Sequence, residues 1–410
     1  MKTVVDLFAG CGGMSLGLEL AGFTPVFVSE LHPDALQTYT QNRVGLVTAK
    51  ENQASDILAL TQHPDELDAL AVRLHREHGD IDLVVGGPPC QGFSGIGHRR
   101  TFKDIDKVDI PSNHLYKEMA KVVSSLAPRA FIFENVRGLL SARWDAEGRR
   151  GEIWEAVQRA FDDIEDSKGR RYNVAWKLLR AGDHGVPQNR PRIILIGIRE
   201  DIPVTSDKSR WHPRSTGPAP DPSDILGDLV DERWIPGGVT RTYPLEAATD
   251  IQRWMRTTRD GAHVRRQGEP VTDHEYSRHS QLVQARFRAI LSTGTIPDDL
   301  RTKKFNQRAI PAHWPQEGPN ITVASLPDDY VHFSLARACT VREWARLQTF
   351  PDWYQFVGHR TTGGRRRAGD PGEGNWTRDL PKFTQIGNAV PVRMAEEIGR
   401  NLIELGIFES

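Results

Sequence analysis

At 410 residues the chain is too long for one ordinary core, so two domains are expected. It is 38% hydrophobic and 26% charged with a formal net charge of −1, a globular composition, and no stretch approaches the 18 uncharged apolar residues of a membrane span. The start, MKTVVDLFAG, lacks the pattern of a secretory signal, and three cysteines, an odd number, provide no disulfide framework and fit a reducing cytoplasm.

Five short apolar runs punctuate the first 200 residues: TVVDLFAG at 3–10, TPVFVSE at 24–30, IDLVVGG at 81–87, RAFIFEN at 129–135 and RIILIGI at 192–198. Nearly continuous apolarity predicts strands buried on both faces of a parallel sheet. Helical spacing of apolar residues predicts helices over 32–42, Pro64–His78 and Leu115–Leu126. Strands and helices in alternation predict a doubly wound, Rossmann-like α/β domain, whose ligands sit beyond the carboxyl ends of its strands.

After Arg199 the texture changes. Residues 203–222 are rich in Pro, Ser and charge and read as a linker, and from there to about 330 basic residues mix with Trp, Tyr and Phe. Helix returns at 340–348, where Thr340 and Glu343 have capping-box spacing. A Gly/Arg-rich loop, 358–375, and an amphipathic helix over 392–405 complete the chain. Charge is uneven: residues 1–89 hold 12 acidic against 5 basic side chains, whereas 253–308 hold 12 basic against 6 acidic. One basic segment on an acidic protein suits a nucleic-acid footprint, and equally a solvated charged face.

Four segments carry chemistry. Asp6-Leu7-Phe8-Ala9-Gly10-Cys11-Gly12-Gly13 closes the first strand and opens a helix, and its glycines let backbone approach a ligand. Ser15 replaces the third glycine of the dinucleotide fingerprint. Glu30 ends the second strand, a usual place for a carboxylate that accepts ribose hydroxyls. Together these imply an adenosine-containing ligand. Cys90 follows Gly86-Gly87-Pro88-Pro89 and precedes Gln91-Gly92-Phe93-Ser94; the prolines keep its thiol out of a core, as a reactive thiolate requires. Glu134, after Phe131-Ile132-Phe133, is either surface relief or an acid whose burial keeps it protonated. Gln188, Arg190 and Arg192, on a strand of period two, would point the same way.

DLFAGCGG, GGPPCQGFS, ENV, QNRPR, TVREWARLQTFPD and QIGNAVP, in this order, resemble the signature blocks of the C5-cytosine DNA methyltransferases of bacterial restriction–modification systems, over residues 1–200 and about 318–404. The resemblance implies transfer of methyl from S-adenosylmethionine, leaving S-adenosylhomocysteine, to C5 of a cytosine flipped out of double-stranded DNA, without a metal. Cys90 would add to C6, Glu134 would hold and protonate N3, Arg192 would contact O2, and Arg190 and Gln188 would support the walls. Phe8 would pack on the adenine, the backbone of Gly10, Cys11 and Gly13 would line the methionine portion, Asp6, Ala9 and Gly12 of the same loop would join the cofactor site, and Glu30 would bind the ribose. Asp56 and Ile57 would hold the adenine edge; Leu115, Pro88, Asn388, Ala389 and Val390 would close the site. Leu31 departs from the large aromatic residue usual after the acid.

The resemblance further implies a catalytic domain at 1–199, a target-recognition domain at 200–345, a hinge with the Gly/Arg-rich insertion at 346–383, and a C-terminal segment at 384–410 that completes the catalytic domain. Residues 91–113, with Gln91, Ser94, Arg99 and Arg100, would close over DNA. Arg253, Arg256, Arg265, Arg266, Lys303, Lys304, Arg308 and Arg337 are candidates for phosphate or base contacts. A cytoplasmic, nucleoid-associated monomer is expected, with a cognate restriction endonuclease as possible companion. The competing readings are a tRNA cytosine-C5 methyltransferase on the same scaffold and a non-catalytic DNA-binding regulator. A tRNA enzyme would carry its own Cys-Phe-Thr signature, which is absent, and a regulator would have lost Cys90, Glu134 or the arginines.

Overall fold

The computed structural model describes residues 1–89, 111–145, 147–301, 307–314, 330–361 and 380–409. The chain begins β1 (Lys2–Leu7), α1 (Gly13–Ala21), β2 (Phe23–Ser29), α2 (Pro33–Gln41), β3 (Gln53–Ala54), α3 (Ile57–Thr61), α4 (Pro64–His78) and β4 (Leu83–Gly86). It continues with α5 (Leu115–Leu126), β5 (Ala130–Val136), α6 (Glu152–Asp162), β6 (Tyr172–Arg180) and β7 (Pro191–Arg199). Short elements follow: α7 (Pro222–Leu226), α8 (Asp250–Arg256), α9 (Gln281–Thr293), β8 (Arg308–Ala309) and β9 (Tyr330–Val331). The last are α10 (Val341–Leu347), α11 (Lys382–Asn388) and α12 (Val392–Glu404).

Seven strands form one sheet in the order β3-β2-β1-β4-β5-β7-β6. Alternation along β1 sends Val5 to one face and Val4 to the other. On the first face Leu70, Leu74, Met119, Val123 and Phe161 of α4, α5 and α6 pack against Val84, Phe131 and Leu195. On the second, Leu18 of α1 and Met394, Ile398 and Leu402 of α12 pack against Leu83, Ile132 and Ile196. The C-terminal helix thus covers the N-terminal sheet. Gly17 makes this possible, because a Cβ there would lie 2.3 Å from the Val392 carbonyl oxygen.

The expectation of a wholly parallel sheet is corrected at one edge. β7 runs antiparallel to β5, and β6, which sequence patterning does not predict, runs antiparallel to β7. The ten residues joining β6 to β7 are too few for a parallel crossover, so the chain turns back on itself. β6 lies at the sheet's edge and half its residues are exposed, so it has no continuous apolar run to reveal it.

A third apolar cluster lies around α10 and α11. Ile225, Leu226 and Met255 meet Trp344, Leu347, Phe350, Tyr354 and Ile386, together with Cys11 and Leu16 from the start of α1. The capping box at Thr340 and Glu343 is formed as predicted. The expected division at 345/346 falls within α10. Among the described residues no helix is long and apolar enough to cross a membrane.

Candidate active site

β1, β2, β4 and β5 are parallel neighbours, so the loops after Leu7, Ser29, Gly86 and Val136 converge on one end of the sheet. The reversed direction of β7 brings its beginning to the same rim, with Arg192 opposite Val136. Glu134 and Arg192 are therefore diagonal neighbours on one face of an antiparallel pair. Their side chains meet at 2.7 Å, Arg192 Nε to Glu134 Oε1, both largely buried. Burial pushes the Glu134 carboxyl above its usual range, opposed by Arg192 and Arg190. Burial also pulls Arg192 down, opposed by Glu134, although a guanidinium keeps its proton in any ordinary pH range.

The chain segment leading to Cys90 is anchored against this pair. A Cβ at Gly87 would lie 2.9 Å from Glu134 Oε2, so a side chain there would displace the carboxylate from its present position. Asn135 Nδ2 donates to the Pro88 carbonyl at 3.0 Å and fixes the Pro88-Pro89 turn. Cys90 follows directly and, with Gln91, Ser94, Arg99 and Arg100, lies outside the described residues. Asn135 is a functional neighbour that the sequence reading quoted without giving it a role.

Gln188 and Arg190 require a correction. They precede β7 in a turn in which Gln188 N donates to Val186 O and Arg190 N to Gln188 O, so the period-two argument holds only for Arg192. Gln188 Nε2 donates to Leu347 O at 3.0 Å and to Gln348 Oε1 at 2.8 Å, which fastens this turn to the end of α10. Arg190 is fully buried and donates from Nη2 to Gly387 O at 2.7 Å, while its Nε and Nη1 have no hydrogen-bond partner among the described residues. Leaving buried donors unsatisfied costs on the order of 1–3 kcal/mol.

Beside this rim, the loop after β1 is held in a shape that glycine favours: Phe8 has φ 56°, Gly10 55° and Gly12 82°. The nearly buried Glu30 carboxylate accepts the Gly10 amide and the His32 amide, each at 2.8 Å. A Cβ at Gly10 would meet nothing within 4 Å, so the loop faces open space there, whereas one at Gly13 would strike Val390 O at 2.4 Å. Ala389 and Val390 therefore press on the loop from the C-terminal side. Leu31 is 57% exposed, Asn388 is exposed, and Leu115, the first residue of α5, is half-buried.

The side chains of Asp6 and Ile57, expected at the cofactor, turn inward instead, as does that of Cys11, whose expected contribution is its backbone. Asp6 is buried and accepts Ser15 Oγ at 2.5 Å, with burial pushing its carboxyl up to about 7. The Cys11 thiol points at Gln385 O, 3.4 Å away, and burial pushes it up to about 12, so only its backbone borders the loop. Ile57 packs into the core, while Asp56 caps α3 by accepting the Leu58 amide at 2.9 Å.

The basic segment divides under the same scrutiny. Arg256 is buried on Asp228 at 2.6 Å and lies over the Tyr243 ring, and Arg337 is buried with both Nη atoms on the Glu343 carboxylate. Both are corrections: side chains buried in internal ion pairs cannot reach a duplex. Arg253 is paired with Asp250, Arg265 is half-buried, and Arg266 and Arg308 are exposed, the last against the Tyr330 hydroxyl. Lys303 and Lys304 lie outside the described residues, as does 362–375 of the Gly/Arg-rich loop.

Residues 2–404 match the family described as C-5 cytosine-specific DNA methylase. Type II methyltransferase M.XorII of Xanthomonas oryzae pv. oryzae is 31% identical across 98% of this chain and 84% of its own length. Type II methyltransferase M.DdeI of Desulfomicrobium norvegicum is 29% identical across 97% and 88%. A prophage-encoded E. coli protein assigned as a DNA modification methyltransferase shares the fold, with a TM-score of 0.65 and 24% identity over 99% of both chains. A match of this extent, on a sheet whose rim joins a Glu–Arg pair to the Gly87-Pro88-Pro89 segment and a glycine loop, makes the chain a member of the C-5 cytosine-specific DNA methylase family and a DNA (cytosine-5-)-methyltransferase.

Proposed function

We propose that the protein methylates a flipped cytosine within a specific double-stranded DNA sequence, using S-adenosylmethionine and a covalent bond between Cys90 and C6. The observation that carries this reading is the Glu134–Arg192 pair lying against Gly87, three residues before Cys90, with two donors of Arg190 unpaired among the described residues. The glycine loop suits the cofactor: it is open above Gly10, and Glu30 has spare acceptor capacity for ribose hydroxyls after taking two amides. S-adenosylmethionine would supply an electrophilic methyl group and leave as S-adenosylhomocysteine.

The protein's own residues account for the remainder. The Cys90 thiolate attacks C6 of the ring and breaks the 5,6 double bond, so the electron pair becomes available at C5. Glu134, its carboxyl raised by burial, gives its proton to N3 and neutralises the charge that develops there. Arg192 keeps Glu134 in place and donates to O2. Once C5 is methylated, a base such as water removes its proton, the double bond returns and Cys90 leaves. Flipping the base costs on the order of a few kcal/mol, offset by contacts to the distorted duplex. Those contacts we assign to residues 91–113 and to Arg253, Arg265, Arg266, Arg308, Lys303 and Lys304.

Residues 1–199 with 384–410 form the catalytic domain in this reading, 200–345 the recognition domain and 346–383 the hinge. Relatives named as type II methyltransferases support a restriction–modification setting, with an endonuclease acting on the same site and the methyltransferase working as a cytoplasmic, nucleoid-associated monomer. The test uses methyl-labelled S-adenosylmethionine and DNA. The parent protein is expected to produce 5-methylcytosine and Cys90→Ala none, and a Cys90→Ala variant as fast as the parent would refute the mechanism. Glu30→Ala is expected to weaken cofactor binding by calorimetry.

A further inference from the structure

Two carbonyl groups of the glycine loop are held from below by side chains from distant parts of the chain. Tyr354, 343 residues from Cys11 and fully buried, donates its hydroxyl to the Cys11 carbonyl at 2.6 Å. Arg43, just past the end of α2 and fully buried, donates from Nη2 to the Gly12 carbonyl at 3.1 Å. The two holders are joined, Arg43 Nη1 to the Tyr354 hydroxyl at 3.0 Å, and Glu19 fixes Arg43 Nε at 2.6 Å. A Cβ at Gly12 would lie 2.7 to 2.8 Å from Arg43 Nη1, the Tyr354 hydroxyl and Tyr39 Cδ2, so all three close directly on the loop.

Positive φ angles at Phe8, Gly10 and Gly12 give the loop its shape. Its backbone bonds are Ala9 N to Ser29 O, Gly12 N to Ala9 O and, as the first of α1, Leu16 N to Gly12 O, and the side-chain bonds to the Cys11 and Gly12 carbonyls add to these. A peptide unit is planar, so fixing the Gly12 carbonyl also fixes the direction of the Gly13 N–H, one of the free donors at the start of α1. The segment that supplies Tyr354 is itself fastened to α2 and its cap. Asn42 and Gln355 exchange two hydrogen bonds at 2.8 and 3.0 Å, and the Val357 amide donates to Thr38 Oγ1 at 2.9 Å. The joint thus contains bonds that touch the loop and bonds that do not, which makes the two separable.

We propose that Arg43 and Tyr354 are positioning residues for the cofactor, acting through the Cys11 and Gly12 carbonyls to hold the glycine loop in its binding shape. This rests on the reading of that loop as the S-adenosylmethionine site. The test titrates full-length protein with S-adenosylhomocysteine by calorimetry and follows steady-state methylation of DNA. Tyr354→Phe, which removes one buried hydroxyl, is expected to weaken binding about fivefold to tenfold and raise the cofactor KM equally, with kcat at saturating cofactor much less affected. Asn42→Ser, which cuts the neighbouring bonds to Gln355, is expected to lower the melting temperature while leaving cofactor affinity within about twofold of the parent. Parental affinity in Tyr354→Phe would overturn the proposal, and so would equal weakening in both variants, since that reports a general loosening. Should Tyr354→Phe not fold, Arg43→Lys, which keeps the charge near Glu19 and loses the planar fork, is read by the same criterion. A parent protein that binds no S-adenosylhomocysteine would defeat the cofactor reading itself, a separate result.

Discussion

Two groups of buried arginines divide the molecule by task. Around α10, Arg346 gives Nη1 to Asp228 and Ile225 O, and Nε and Nη2 to Asp352, while Arg256 gives Nε to Asp228 and Nη2 to Leu245 O. Tyr243 closes the set with its hydroxyl on Asp352 at 2.7 Å. At the sheet rim, Arg192 is paired with Glu134, whose charge also acts on Arg190, and two nitrogens of Arg190 have no hydrogen-bond partner among the described residues. The two groups are equally buried and carry the same chemistry. The difference is completeness among the described residues: the bonds of Arg346 and Arg256 are closed and fasten segments together, whereas Arg190 keeps two donors unpaired.

The largest effect that would sharpen this comparison is on stability. Arg346→Met strands Asp228 and Asp352 and is expected to cost about 3–5 kcal/mol in denaturant unfolding. An unchanged unfolding midpoint would break the distinction. Next comes Glu134→Gln, expected to lower the single-turnover methylation rate about a hundredfold or more, with some loss of stability because Arg192 stays buried without its carboxylate partner.

Arg190→Met should separate the two properties most cleanly. Removing a cation with unsatisfied donors is expected to leave stability equal or about 1 kcal/mol higher while the methylation rate falls. A large loss of stability would move Arg190 into the fastening group. A further prediction concerns Asp6, which has the same kind of burial without a direct cation. Its folded value, about 7, lies above the ordinary 3.8, so the protonated form is favoured on folding. The group therefore costs nothing below about pH 4, and stability falls as pH rises towards 7. The melting temperature of Asp6→Asn should gain on the parent by a few degrees across that window and then hold a constant lead. The smallest effect belongs to the exposed Arg266. Its replacement by Ala should weaken DNA binding slightly for all sequences and reduce the salt slope by about 1.

The predicted helices Pro64–His78 and Leu115–Leu126 coincide with α4 and α5 residue for residue, because their apolar periodicity spans three turns or more with nothing to interrupt it. The strand cores were equally legible as apolar runs. β6 was not, since an edge strand reading YNVAWKLLR has neither a continuous run nor a clean alternation. Within the site, Glu134 and Arg192 could be picked out from their places beside strands, but the turn that carries Gln188 and Arg190 could not be told from an extension of β7. Composition marked 253–308 as basic, yet charge alone could not separate Arg256, locked on Asp228, from Arg266, open to solvent.

Taken alone, the amino-acid order settled whatever repeats or contrasts within a few neighbouring positions: strand cores, helix lengths, the capping box and the glycine loop. Folding decided the direction of β7, the clamp of Asn135 on Pro88, the meeting of Arg43 with Tyr354 and the burial of Arg256 and Arg337. The reason is one of distance along the chain. Local geometry is governed by torsions and spacing that each residue carries with it, whereas a partner 47 or 311 positions away becomes a neighbour only once the whole core has formed.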